Sequence, residues 1–136
     1  MEERFTLSDA QVAPASNKML WAGRIISALP VLMMLFGGVY SLVKPAAVAE
    51  GLTKYGYPAQ LALTFGLLEL VCAALYAIPR TAVLGAILLT GYLGGAVATH
   101  VRIGEPFIIP VLLGVLVWLG LFLRDARVRA LVPFRQ

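Results

Sequence analysis

The chain has 136 residues, 60% of them hydrophobic and only 13% charged, with a formal net charge of +4. A water-soluble domain is about half apolar and about a quarter charged, so this composition excludes an ordinary soluble globule and asks for a lipid bilayer as solvent. The single cysteine, Cys72, excludes a disulfide framework. The basic residues lie between apolar runs and near the C-terminus, which suits membrane orientation and argues against nucleic acid as a partner.

In chain order, residues 1–20 read as a polar N-terminal segment, poorly ordered or surface-lying. Four runs free of Lys, Arg and Asp follow, at 25–43, 61–78, 81–99 and 106–123. Each approaches the roughly 20 residues that a helix needs to cross about 30 Å of hydrocarbon. Backbone in lipid must satisfy its own hydrogen bonds, so these runs are expected as helices. The predicted fold is an all-α, four-helix transmembrane bundle spanning 21–124, with a basic tail at 125–136. The first run begins after 24 residues and leads into further spans without a small-x-small exit, unlike a cleaved signal peptide. Pro30 and Pro110 lie inside runs and should bend their helices.

Four spans place both termini on one side. That side carries Arg4, Lys18, Arg24, Arg80, Arg124, Arg127, Arg129 and Arg135, against Lys44, Lys54 and Arg102 on the other. The excess predicts cytoplasmic termini in a bacterial inner membrane. The connection Pro79-Arg80 is so short that the second and third spans must form an antiparallel pair, with Thr81 placed to cap the third. The longest link, 44–60, should lie on the outer surface, with Pro45 starting a short helix and Gly56 and Pro58 closing it. The stretch 123–135 alternates Arg with Leu, Val and Ala and reads as a segment resting on anionic headgroups.

Glu69 sits mid-span, where an acid costs a few kcal/mol and marks either a functional site or an interhelical hydrogen bond. Measured from the turn at Pro79-Arg80, Glu69 is level with Thr90, Gly91 and Tyr92, and helical spacing adds Phe65, Cys72 and Tyr76 to its face. Glu69, Tyr76, Thr90 and Tyr92 therefore form the candidate intramembrane polar site, with a Glu69–Tyr92 hydrogen bond expected. Thr99, His100, Arg102 and Glu105 form a second candidate at the outer mouth, able to meet a quinone headgroup, a lipid phosphate or a partner protein. Snorkelling interfacial side chains would give the same pattern. Gly85, Gly91, Gly94 and Gly95 in the third span, with Gly37 and Gly38 in the first, are spaced for close helix packing, a homodimer seam or a groove for a flat ligand. One histidine cannot supply bis-His haem ligation within a chain, and no second ligand stands at zinc spacing, so no metal is expected. Nucleotide-binding and nucleophile-elbow motifs are absent, and no catalytic residue is assigned.

The run LYAIPRTAVLGAILLTGYLGGAVATHVRIGEP at 75–106 closely resembles the DoxX-like family of small bacterial membrane proteins. The resemblance extends to WAGRIISALPVLMMLFGGVYSLVKP at 21–45 and PVLLGVLVWLGLFLRDARVRALVP at 110–133. It implies a four-helix membrane protein with both termini inside and no settled reaction. The family takes its name from a small subunit associated with a terminal quinol oxidase, and remote relatives resemble cargo receptors and assembly chaperones. Three functions fit these residues: a non-catalytic accessory or assembly subunit, bound to itself or another membrane protein; a redox-linked subunit holding a quinone or similar lipophilic ligand; or a small transporter.

Overall fold

A computed structural model describes residues 16–132. Six helices and no strand occur among them: α1 (Asn17–Val43), α2 (Pro45–Lys54), α3 (Leu61–Ala77), α4 (Ala82–Arg102), α5 (Ile108–Arg124) and α6 (Ala126–Leu131). Most of the polar segment 1–20 lies outside the described residues, as do 133–136 of the tail. Helix α1 begins earlier than the apolar run because Ser16 caps it, its hydroxyl oxygen accepting from the Met19 amide at 3.2 Å.

The four long helices close into a ring in which α1 packs on α3, α3 on α4, α4 on α5 and α5 on α1. The first and last long helices are therefore neighbours. Helix α2 leans on α1 and α3, and α6 on α5. The inward stripe of α1 is Gly23, Ser27, Pro30, Met34, Gly38 and Ser41, a three- and four-residue spacing that keeps one face inward. Five of these six residues are small or compact, so the neighbouring backbones come close. An added Cβ at Gly38 would meet Leu70 Cγ at 2.6 Å, one at Gly66 would meet Ser41 Cβ at 2.6 Å, and one at Gly23 would meet the Gly120 carbonyl at 2.9 Å. Bulk is turned outward instead: Phe36 is 74% exposed, Ile25 67% and Ile109 64%. In water such a surface would be an aggregation hazard; against acyl chains it is the ordinary exterior. Helices α1 and α4 are long and apolar enough to cross a membrane, while α3 and α5 are also apolar but shorter, at 17 residues each.

Three local expectations change. Pro110 falls in the first turn of α5, where backbone amides have no intrahelical partner, so it breaks no helical bond. Thr81 stands at the α4 N-cap, but its hydroxyl donates to the Leu75 carbonyl at 2.7 Å and ties the hairpin turn instead of capping the helix. Helix α6 is not wholly a surface segment, since Val128 is buried in the core.

Candidate functional site

The polar residues sort into three levels. At one end of the bundle, the last turn of α2 and the segment after it fold over α3 and α4. Gly56 makes the turn at φ +85°, which an L side chain rarely adopts. Tyr57 and Tyr55 then face α4. Tyr57 stands edge-on to Phe65, with centroids 5.3 Å apart, and its hydroxyl lies 2.7 Å from Thr99 Oγ1. Thr99 spends its own proton on the Gly95 carbonyl at 2.8 Å, so Tyr57 is the donor between the two. The Tyr55 ring tilts over His100 at 5.3 Å, and its hydroxyl donates to Glu105 Oε2 at 2.8 Å. Lys54 forms an ion pair with the other Glu105 oxygen, and Arg102 donates to the Tyr55 carbonyl. The Lys54 hydrogen bond, followed by that of Tyr55, holds the Glu105 carboxyl below the usual carboxylate range. The same bonds to Glu105 raise Lys54 and Tyr55 above their ordinary values.

This clasp walls a groove of about 320 Å³, lined by Leu52, Tyr55, Tyr57, Phe65, Gly91, Tyr92, Gly95, Ala96, Thr99 and His100. An added Cβ at Gly91, Gly94 or Gly95 would touch nothing within 4 Å. These three glycines therefore do not press against another helix of the chain, in contrast to the packing expected of them. Gly91 and Gly95 form part of the groove wall, and Gly94 is exposed. Gly85 and Gly38 do sit at tight contacts, Gly85 directly against the Tyr76 backbone. His100 Nδ1 lies 2.6 Å from the Ala96 carbonyl, which can only accept, so Nδ1 carries a proton in this contact.

At mid-depth, the Glu69 carboxyl group lies over Gly37 of α1, where an added Cβ would meet Oε2 at 3.1 Å. Tyr92 lies within interaction range of this group, although no hydrogen bond of standard geometry joins them. Tyr92 also lines the groove, which makes it the residue linking the two levels. Thr90 belongs elsewhere. Its hydroxyl donates to the Ala86 carbonyl and accepts from Trp118 Nε1 of α5, each at 2.7 Å.

Tyr76 is likewise separate from Glu69. It shares a helical face with Glu69 but sits about two turns, roughly 10 Å, further along α3. It is fully buried, donating to the Val117 carbonyl at 2.7 Å, with Ser27 Oγ 2.9 Å away. Arg124 completes this cluster, at the opposite end of the bundle from the groove. Its Nε donates to Ser27 Oγ at 3.1 Å and its Nη2 to the Tyr76 carbonyl at 3.3 Å, and its guanidinium lies 4.9 Å from the Tyr76 ring centroid. The sequence reading does not single out Ser27, and it places Arg124 only among the basic residues that set orientation. The available signal was a buried-face serine on α1 together with an arginine ending the last apolar run; the missing information was that α1 and α5 adjoin.

The model of the DoxX-like family matches residues 25–120, which takes in α3 and α4, most of α1 and α5, the groove and the Glu69 level. No curated protein and no solved structure matches the chain. The chain belongs to the DoxX-like family.

Proposed function

We propose that the protein is a non-catalytic accessory subunit of the bacterial inner membrane, crossing it four times with both termini inside, and that it holds a flat lipophilic ligand in the outer groove. The groove carries this reading: a concave site of about 320 Å³ whose aromatic and glycine walls leave room for a planar ring. That volume falls within the range of about 300–1,000 Å³ typical of ligand pockets. Phe65, Leu52 and the bare backbone at Gly91 and Gly95 supply an apolar slot, while Tyr92 and His100 set polar atoms at its walls. A quinone headgroup fits this chemistry and would bring reversible two-electron, two-proton chemistry with it. The chain's own part is to bind and orient: the Tyr92 hydroxyl donates to a ring oxygen, and Glu69 lies beside Tyr92 at mid-depth of the bundle.

The test is binding of a short-chain ubiquinone analogue to the protein in nanodiscs. Gly91→Val fills the groove without touching the helix contacts, so it should abolish saturable binding while leaving the fold intact. Tyr92→Phe should weaken binding by about five- to tenfold, the loss of one hydrogen bond of about 1 kcal/mol or slightly more. Unchanged binding in both variants would overturn the reading.

A second reading rests on Gly94, which is exposed with nothing within 4 Å of an added Cβ and lies four residues from the exposed Ala98. This small-x-x-x-small step points away from the bundle and suits contact with another membrane helix, as an assembly subunit would need.

A further inference from the structure

Two cavities at the inner end of the bundle share Arg24 and Arg124. One, of about 200 Å³, runs between α1 and α3 and is lined by Arg24, Ser27, Ala28, Val31, Tyr76, Ala77 and Arg124. The other, of about 380 Å³, continues across the end of the ring to Pro79, Asp125 and Arg127. Both shared arginines lie against aromatic rings. Arg24 lies 5.4 Å from the Trp21 ring centroid, and Arg124 lies 4.9 Å from that of Tyr76 while also bonded to Ser27 and the Tyr76 carbonyl. Holding a guanidinium before a ligand arrives lowers the ordering cost of binding. Neither arginine forms an ion pair among the described residues, where the pairs are Lys54–Glu105 and Arg127–Asp125. Arg124 uses two of its five N–H donors in the bonds to Ser27 and Tyr76, and its remaining donors are not buried without partners.

We propose that this cleft is a discrete site for the phosphate group of an anionic phospholipid. Guanidinium pairs bind phosphate oxygens through forked, charge-assisted hydrogen bonds. The smaller cavity extends the site in the direction an acyl chain would take, along Ala28, Val31 and Ala77, where Ala28 and Ala77 are exposed and too short to block it. The charged end and the apolar slot meet at Arg24 and Arg124, an arrangement that a free phosphate ion would use only in part. The site lies at the opposite end of the bundle from the groove and does not depend on the ligand proposed there.

The experiment is native mass spectrometry of the full chain released from phosphatidylcholine nanodiscs doped with phosphatidylglycerol. Wild type should retain one phosphatidylglycerol in preference to phosphatidylcholine. Arg24→Gln, an exposed position outside the buried cluster, should lower that retention about fivefold, the worth of one basic residue near an anionic headgroup. Lys18→Gln removes the same charge from the same end but lines neither cavity, and should leave retention near wild type. Equal losses in the two variants would assign the effect to diffuse surface charge and overturn the proposal. Displacement of the lipid adduct by millimolar inorganic phosphate would also overturn it, assigning the cleft to the free ion.

Discussion

Gly85→Ala and Gly91→Ala place the same methyl group on the same helix less than two turns apart, and the structure predicts opposite results. At Gly85 the added carbon would lie 2.5 Å from Tyr76 Cα and 2.8 Å from the Leu75 carbonyl carbon. Comfortable carbon–carbon contact begins near 3.5 Å, and both obstacles are backbone, so α3 must retreat from α4 by about 1 Å. Overpacking of this kind costs about 1–3 kcal/mol. The retreat also moves Tyr76 off its bonds to Val117 and Ser27, each worth about 1 kcal/mol. Improved helix propensity offsets up to about 1 kcal/mol, leaving a net destabilisation of about 2–4 kcal/mol. At Gly91 nothing lies within 4 Å, so only the propensity effect remains, and Ala should be neutral to about 1 kcal/mol stabilising. Reversible denaturant titration of both variants in mixed micelles measures the difference. A Gly85→Ala midpoint at the wild-type position, or equal destabilisation of the two variants, would refute the assignment of Gly85 to packing and Gly91 to open space.

Tyr76→Phe should cost about 1–2 kcal/mol in the same titration, and a cycle with Ser27→Ala should show the two losses to be less than additive, since both act on one network. The clasp of Lys54, Tyr55 and Glu105 predicts a pH dependence. Glu105 is lowered, so its contribution is complete above the ordinary carboxylate range and is lost as acid takes the pH down through the lowered value; Lys54 is raised, so its contribution persists until the pH climbs past the ordinary lysine value. The thermal midpoint of wild type should therefore exceed that of Glu105→Gln by a constant margin between about pH 5 and 9, shrinking below about pH 4. A margin that does not change with pH would remove the ion pair as its source.

How much of this was legible beforehand depends on what each signal reports. Hydropathy located four apolar runs that correspond to α1, α3, α4 and α5, and the short Pro79-Arg80 turn required α3 to pair with α4. Apolar helices in lipid have no polar face, so the periodicity that would reveal an inward side is weak, and the closure of α1 onto α5 stayed hidden. The Ser27–Tyr76–Arg124 cluster stayed hidden with it, because its members come from α1, α3 and α5. Glycine spacing had a different weakness. It records where bulk is missing but not what occupies the space, so Gly38 and Gly85 at helix contacts look the same as Gly91 and Gly95 beside a groove. Tyr76 and Glu69 were grouped by angular position alone; two turns of axial rise separate them into different networks.

The clasp also has a consequence for the order in which the protein assembles. Lys54 and Tyr55 are joined to Glu105 across sequence separations of 51 and 50 residues, and Tyr57 to Thr99 across 42. None of these partners exists until α4 has been synthesised and has turned back beside α3. Contacts this distant in sequence close late, after the local hairpins that shorten the path between them. While the chain is emerging, α2 has only α1 and then α3 to lean on, and the segment through Tyr57 has no anchor on the far side of the groove. The groove is thus among the last features to form, and a nascent chain stopped after α3 should carry α2 with its final turn undocked. Protease accessibility after Lys54, followed on ribosome-bound chains of increasing length, should fall abruptly once residues through Glu105 have cleared the exit tunnel.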